Sequence, residues 1–284
     1  MTEYMLTHQA TIYAAILLAA FCALALWELA MPRRMLRTPK GLRWLNNACL
    51  TGTTLILRGL LFPAAGIGAA LYAVQQGWGL FEYLYTPYWA AFLATLLLLD
   101  LGHWGLHYLL HRVPFLWRMH RVHHTDQDVD ISTALRFHPL ETGLEVSLFL
   151  ILIFLLGPPL EAIVLFQLAS IVANLWSHGN LRVGTRLDGA LRCALITPDM
   201  HRIHHSMNHA EAQSNYGALL SCWDRLLGTY VEEPALGQTA MTVGLVEFAE
   251  PRHARIDMML ANPLLEAAAD APLKPAYEKA SAAG

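Results

Sequence analysis

The stretch Asp100-Leu-Gly-His103-Trp-Gly-Leu-His107-Tyr-Leu-Leu-His111-Arg-Val-Pro-Phe-Leu-Trp-Arg-Met-His120-Arg-Val-His123-His124 decides how this chain is read. Six histidines fall within 22 residues, three at the end of an apolar run and three just past a proline. Its last five residues nearly recur 81 positions later as His201-Arg202-Ile203-His204-His205. Helical residues four apart share a face, so His107 and His111 project together and His103 extends their row one turn deeper. His120, His123 and His124, at i, i+3 and i+4, are expected to turn three imidazoles to one side, and the later box repeats that spacing. Such a face is costly to bury alone, because each neutral ring needs a partner for its lone pair and charged rings repel. A metal ion satisfies all of them at once.

Around this stretch the composition is that of a membrane protein. Of 284 residues, 55% are hydrophobic and 14% charged, against about 25% charged in soluble domains; mean hydropathy is +0.37. A net charge of −3 with no basic domain argues against nucleic acid as a partner. The cysteines at 22, 49, 193 and 222 are far apart and form no Cys-x-x-Cys, so neither a disulfide framework nor a zinc ribbon is indicated.

Taken in order, Ala10 to Met31 is long and apolar enough to span, a crossing needing ~20 residues. No Lys or Arg precedes it and Trp27-Glu28 offers no small-residue cleavage site, which favours a retained helix over a signal peptide. Arg33, Arg34, Arg37, Lys40 and Arg43 then mark a cytoplasmic loop. Leu45 to Val74, interrupted by Arg58, Pro63 and glycines, reads as one kinked span or as an interfacial helix followed by a short one. Tyr88 to Leu110 is the next span, and residues 112–138 return to the basic side. Leu140–Leu156 and Leu160–Trp176, separated by Gly157-Pro158-Pro159, read as a helical hairpin. In this topology every Lys and Arg except Arg58, and every histidine except His8, lies on or near the cytoplasmic side. The fold expected is all-α: a multi-pass membrane protein of four to five transmembrane helices with a cytoplasmic helical cap carrying a histidine-rich dimetal site. Its parts are 1–92, N-terminal spans and basic loop; 93–232, the catalytic region; and 233–284, a cytoplasmic segment ending in a disordered tail past Asn262.

The count of imidazoles bears on nuclearity. His107, His111, His120, His123, His124, His201, His204 and His205, with His178 at the end of a span, exceed what one ion takes and suit two. All-nitrogen ligation fits iron, copper, zinc or nickel and excludes calcium and magnesium.

At this point the order of motifs resembles a known superfamily. Asp100-x-x-His103-Trp104, His107-x-x-x-His111, eight residues, His120-x-x-His123-His124, Arg136-Phe137-His138-Pro139, His178-x-Asn180, His201-x-x-His204-His205 and Asn215-Tyr216-Gly217 leading to Trp223-Asp224 are similar to the fatty acid hydroxylase/sterol desaturase superfamily. The likeness runs from Asp100 to Thr229 and departs from the family pattern at Tyr108, where relatives usually carry Arg. It implies membrane non-haem chemistry with two Fe ions, O2 as co-substrate, and hydroxylation or desaturation of an unactivated C–H bond of a sterol, fatty acyl or ether lipid. It also implies the nine histidines as ligands, with His107 and His111 as the first box and His103 an extra member of the row.

Other residues divide between functional and structural expectations. His103 and Trp104 are expected along a substrate channel. His138 is either a helix cap or a ligand. Asp100, Asp199, Asp224 and Asn180 are candidates to orient ligand rings, since ligating histidines usually donate their second N–H to an oxygen; Asp199 could instead cap the His201 helix. Asp126, Asp128 and Asp130 are expected in a solvated turn, and His209 and His253 at the surface. No Gly-x-Gly-x-x-Gly unit or iron–sulfur cysteine set occurs, so electrons are expected from a ferredoxin or a b-type cytochrome with its reductase. The rival classes are a zinc-dependent hydrolase, for which His-Glu-x-x-His is missing, and a metal transporter or sensor, which wants polar residues along several spans.

Overall fold

The computed structural model describes residues 2–62 and 66–266. Ten helices carry the architecture: α1 (Thr2–Ala30), α2 (Lys40–Leu61), α3 (Ile67–Gln75), α4 (Leu80–Tyr83), α5 (Tyr88–Arg112), α6 (Pro114–His124), α7 (Pro139–Leu156), α8 (Leu160–His178), α9 (Thr185–Leu191) and α10 (Pro198–His204). Short helical turns follow α10, and no strand occurs among the described residues. Four stretches are long and apolar enough to cross a membrane: Thr11–Ala30, Tyr88–Arg112, Pro139–Leu156 and Leu160–His178. The chain is an all-helical integral membrane protein.

Residues 45–74 fall into two helices, α2 and α3. α2 turns Arg43, Asn46, Asn47 and Thr54 inward and leaves Leu42, Leu45, Leu55 and Ile56 exposed, the pattern of a helix lying along an interface. α3 is only nine residues, but Ala69 and Ala70 let it pack closely against Ile153 of α7 and Ile163 of α8. The expected kink at Pro63 lies outside the described residues.

The hairpin expectation is refined. α7 and α8 follow one another across Gly157-Pro158-Pro159 and share α5 and α3 as partners, while α7 also packs on α2 and α8 on α1 and α10. Gly157 ends α7 with φ of 61° and Gly79 has φ of 118°; a Cβ on either would run into the other's backbone loop. Gly157→Ala is therefore expected to cost about 1–3 kcal/mol, from the left-handed backbone and the lost close approach, read as a lower unfolding midpoint in detergent.

The turn at 126–130 is not solvated. Asp126, Asp128 and Asp130 are all buried, because the basic loop folds over them. Arg43 bonds Asp126 at 3.1 Å and pairs with Asp130, while Asp128 Oδ2 accepts from the backbone of Arg37 at 2.8 Å and Thr38 at 2.7 Å. Burial pushes the Asp130 carboxyl above the usual carboxylate range, and Arg43 opposes that shift. Glu28, in the last turn of α1, takes the backbone N–H of Ile131 and of Asn180, each at 3.0 Å, and so ties a span to the cap. His253 is buried against Phe248 rather than lying at the surface. The segment after Asn262 starts ordered: Asn262 and Pro263 are buried, and Arg121 Nε donates to Asn262 Oδ1 at 2.8 Å. The tail expected further on, at 267–284, lies outside the described residues.

Candidate metal centre

The two His-x-x-His-His boxes do not each serve one site. Two groups form, His107, His111, His120, His124 and His204 in one, and His123, His178, His201 and His205 in the other, with the potential ligand atoms of each group within 4.8 Å of one another. Each box sends its i, i+4 pair to one group and its middle histidine to the other. The earlier of the two commits His120 and His124 to the first group and lends His123 to the second. The other box commits His201 and His205 to the second and lends His204 to the first. The expectation of three imidazoles aimed together is corrected by this split. Helices α6 and α10 face each other across the centre, so residues one position apart in sequence reach opposite sides of it.

Pro114 starts α6 at a position where a missing N–H costs nothing. Thr197, not Asp199, caps α10, its hydroxyl accepting from Met200 N at 3.4 Å. Leu50 and Met259 close over Val122 on the back of α6, which turns its histidines inward.

Ring protonation shows how well these residues suit a metal. His107 Nδ1 lies 2.8 Å from the Tyr216 carbonyl, His178 Nδ1 2.7 Å from that of Asn174, and His204 Nδ1 2.8 Å from that of Ser214. A carbonyl only accepts, so each Nδ1 carries the proton and each Nε2 offers a lone pair. His120 Nδ1 is 2.6 Å from Glu141 Oε1, and donation to that carboxylate again leaves Nε2 bare. Yet His120 Nε2 stands 3.1 Å from both His107 Nε2 and His124 Nε2. In the second group the Nε2 atoms of His178 and His123 are 2.9 Å apart, of His201 and His178 3.0 Å, and of His205 and His201 3.2 Å. Two nitrogens held ~2.1 Å from one ion at a right angle lie about 3.0 Å apart. The facing lone pairs of His107 and His120 repel at that spacing unless a cation lies between them. His111 Nε2 and His204 Nε2 are moreover buried with no partner. The residues fit a pair of metal ions.

Burial keeps these rings in the neutral form that ligation needs. It pushes the His120 imidazole down to about 3, and those of His123, His124, His201, His204 and His205 well below the ordinary histidine value, with neighbouring rings adding to the effect.

The acids expected to orient the rings do not touch them. Asp199 is bound to Arg33 and Arg202. Asp100 accepts from Trp223 Nε1 at 2.8 Å and Leu220 N at 3.2 Å. Asn180 is spent on the backbone of Arg34. Asp224 acts one step removed: it accepts from Tyr216 N and Gly217 N, both at 2.8 Å, and fixes the turn whose carbonyl meets His107. Asn215-Tyr216-Gly217 is thus more than a turn, with Asn215 at φ of 53° aiming the Tyr216 carbonyl. His138 is a cap, its Nδ1 accepting from Leu140 N at 3.1 Å and its Nε2 donating to the Leu260 carbonyl at 3.2 Å. Neither ring nitrogen is left for a metal.

The carboxylate that does meet a ring, Glu141, was not singled out in the sequence. It lies three residues past His138 in the first turn of α7, and the signal was an acid at the head of an apolar span. Gln213 was missed as well. Its amide nitrogen is 3.3 Å from His111 Nδ1, and its Oε1 accepts from the Tyr216 hydroxyl at 3.0 Å. Glu141→Leu would strand the His120 Nδ1–H and free its tautomer. Metal affinity is then expected to fall roughly 10–100-fold, whereas Glu141→Gln, whose amide oxygen still accepts, should lose less; competition with a calibrated chelator measures both.

A cavity of about 310 Å³ opens directly beneath the histidines, with His107, His120, His123, His178, His201 and Glu141 in its wall. It runs between α2, α5, α7 and α8, and His103 lines it. Trp104 does not. It turns the other way, donating to Asp224 Oδ1 at 3.0 Å and stacking on Tyr108.

Residues 92–229 match the family model described as fatty acid hydroxylase. An ornithine lipid hydroxylase from Rhizobium tropici is 31% identical over 194 residues, covering 66% of this chain and 58% of that protein. An alkylglycerol monooxygenase from Danio rerio is 32% identical over 162 residues, 55% of this chain and 34% of its own, and one from Homo sapiens is 29% identical over 178 residues, 62% and 38%. The chain thus spans between about a third and three fifths of these relatives. No solved structure matches it.

Proposed function

Since residues 92–229 belong to the fatty acid hydroxylase family, we propose that this chain is a membrane lipid oxygenase whose two histidine groups each hold one iron ion. The observation that carries this reading is the convergence of nine neutral imidazoles in two groups on a cavity between apolar helices. Related proteins are named an ornithine lipid hydroxylase and an alkylglycerol monooxygenase, which supports a polar lipid of the bilayer as the substrate. The iron pair, when bound, supplies the activation of O2 that an unactivated C–H bond requires.

The chain's own residues do the rest. Tyr216, Asn174 and Ser214 carbonyls and the Glu141 carboxylate hold protons on Nδ1 and keep Nε2 free. The Phe137 ring, stacked on His123 with centroids 4.4 Å apart, keeps bulk water from that side. The cavity admits a lipid laterally between the helices, with its reactive carbon under His107 and His120. Hydroxylation and desaturation remain the two outcomes of the same hydrogen abstraction. Electrons come from a separate donor, a ferredoxin or b-type cytochrome with its reductase. The basic residues of 33–43 and of the cap support a metal centre on the cytoplasmic face.

Metal analysis and oxygen consumption on the purified protein test the reading. Two irons per chain and reductant-dependent oxygen uptake are expected. One zinc per chain with no uptake would overturn it in favour of a hydrolase, and readily exchanged metal with no uptake in favour of a transporter or sensor.

A further inference from the structure

The cavity under the histidines adjoins a second one of about 180 Å³, and Arg58, Glu145, Ser170 and Ile171 wall both. Beyond this throat the second cavity is lined by Leu99, Val146, Phe149, Ile153, Ile163 and Phe166, with Tyr13 and Gln167 bonded to each other beside them. Polarity therefore falls along the path: imidazoles and Glu141 at one end, opposite charges at the throat, then hydrocarbon.

The throat charges are unspent. Arg58 makes no hydrogen bond or ion pair among the described residues. Among the described residues Glu145 has only His103 Nε2, at 4.0 Å, and no ion pair joins it to Arg58 although both face the same space. His103 Nδ1 and Glu141 Oε2, on the same cavity, are buried without partners. Charges beside apolar helices are expensive and call for a counter-charge. A fatty-acid carboxylate would satisfy Arg58 and repel Glu145, and a simple amine would do the reverse. A head carrying both signs satisfies both.

From this geometry we propose that the throat is a headgroup site for a zwitterionic lipid, which binds head toward the histidines and tail in the apolar branch. Its cationic group meets Glu145 and its anionic group meets Arg58. The C–H bond presented to the metal centre then belongs to the head or the first carbons beside it, not to the distal chain. This last point rests on the oxygenase reading; the binding site does not.

The test uses the full chain in detergent micelles and three probes with one tail length: dodecanoyl lysophosphatidylethanolamine, dodecanoic acid and dodecyl glycerol ether. Affinities are measured by native mass spectrometry and by competition. The zwitterion is expected to bind about 10-fold tighter than either other probe, the worth of one charge-assisted hydrogen bond. Arg58→Gln and Glu145→Gln should each erase that preference, and Arg58→Lys should keep most of it. Among the described residues Arg58 is exposed and unbonded and Glu145 is half-buried with no hydrogen bond, so these changes leave the fold intact. Equal binding of the three probes, tightest binding of the fatty acid or the ether, or a preference that survives both neutral variants would overturn the proposal. A protein that binds the zwitterion selectively but takes up no oxygen would overturn the oxygenase reading and leave the headgroup site standing.

Discussion

His178→Ala is expected to leave the purified protein with one metal ion per chain instead of two and to remove turnover. The second histidine group has only four members, and His178 Nε2 is the atom nearest to two of the others, 2.9 Å from His123 and 3.0 Å from His201. Losing it leaves three imidazoles and an open wall toward the cavity. The loss in rate should exceed the roughly 10–100-fold that removal of an outer partner of a ligand costs. His138→Ala is the matched control, since His138 spends both ring nitrogens on backbone groups of Leu140 and Leu260. It should retain both ions and lose only the stability of a cap, about 1 kcal/mol. Metal analysis of the two variants, with circular dichroism to confirm helix content, decides the matter. Equal metal content in both would refute the assignment of His178 as a ligand.

Asp224→Ala is expected to be the most destabilising single change outside the histidines. The carboxylate is fully buried and collects Tyr216 N, Gly217 N, Trp104 Nε1 and Thr229 Oγ1 at 2.6–3.0 Å. Truncation leaves these donors dry. Removing one side of such a buried charged network costs about 3–5 kcal/mol. It also releases the Tyr216 carbonyl that sets the His107 proton, so metal retention should fall together with the unfolding midpoint. Asp224→Asn, with one accepting oxygen in place of two, should fall between. A midpoint for Asp224→Ala within a degree of the parent protein would show that the turn does not depend on this carboxylate.

Much of the site is legible in the chain because helix geometry makes it local. Imidazoles at i and i+4 share a face wherever the helix goes, so the pairs His107/His111, His120/His124 and His201/His205 could be read from spacing. What spacing could not reveal is which pair meets which. The middle residues His123 and His204 cross to the opposite group because α6 and α10 approach from two sides, a fact of packing. The orienting groups were misread for a similar reason. Asp100, Asp199 and Asp224 lie near the boxes in sequence, but arginines, tryptophans and backbone amides claim them first. The ring proton of His120 goes instead to Glu141, brought across 21 residues by the turn into α7. The acidic turn at 126–130 was expected in solvent because three carboxylates in five residues are costly to bury. The arrival of Arg43 and the backbone of 37–38, some 90 residues earlier, offsets that cost, with Trp44, Ser132 and Thr133 adding further donors.

The sequence by itself determined that the chain is helical, that it enters the membrane and that it concentrates metal-binding side chains. Each of these follows from composition or from a period of a few residues. Tertiary structure alone decided that the imidazoles divide five and four, that carbonyls and Glu141 rather than the nearby aspartates set their protons, and that a cavity of falling polarity leads away from them. The Asn174–His178 and Ser214–His204 bonds are local, but Glu141 reaches His120 across 21 residues and the Tyr216 carbonyl reaches His107 across 109, and no local pattern encodes where a distant helix will come to rest.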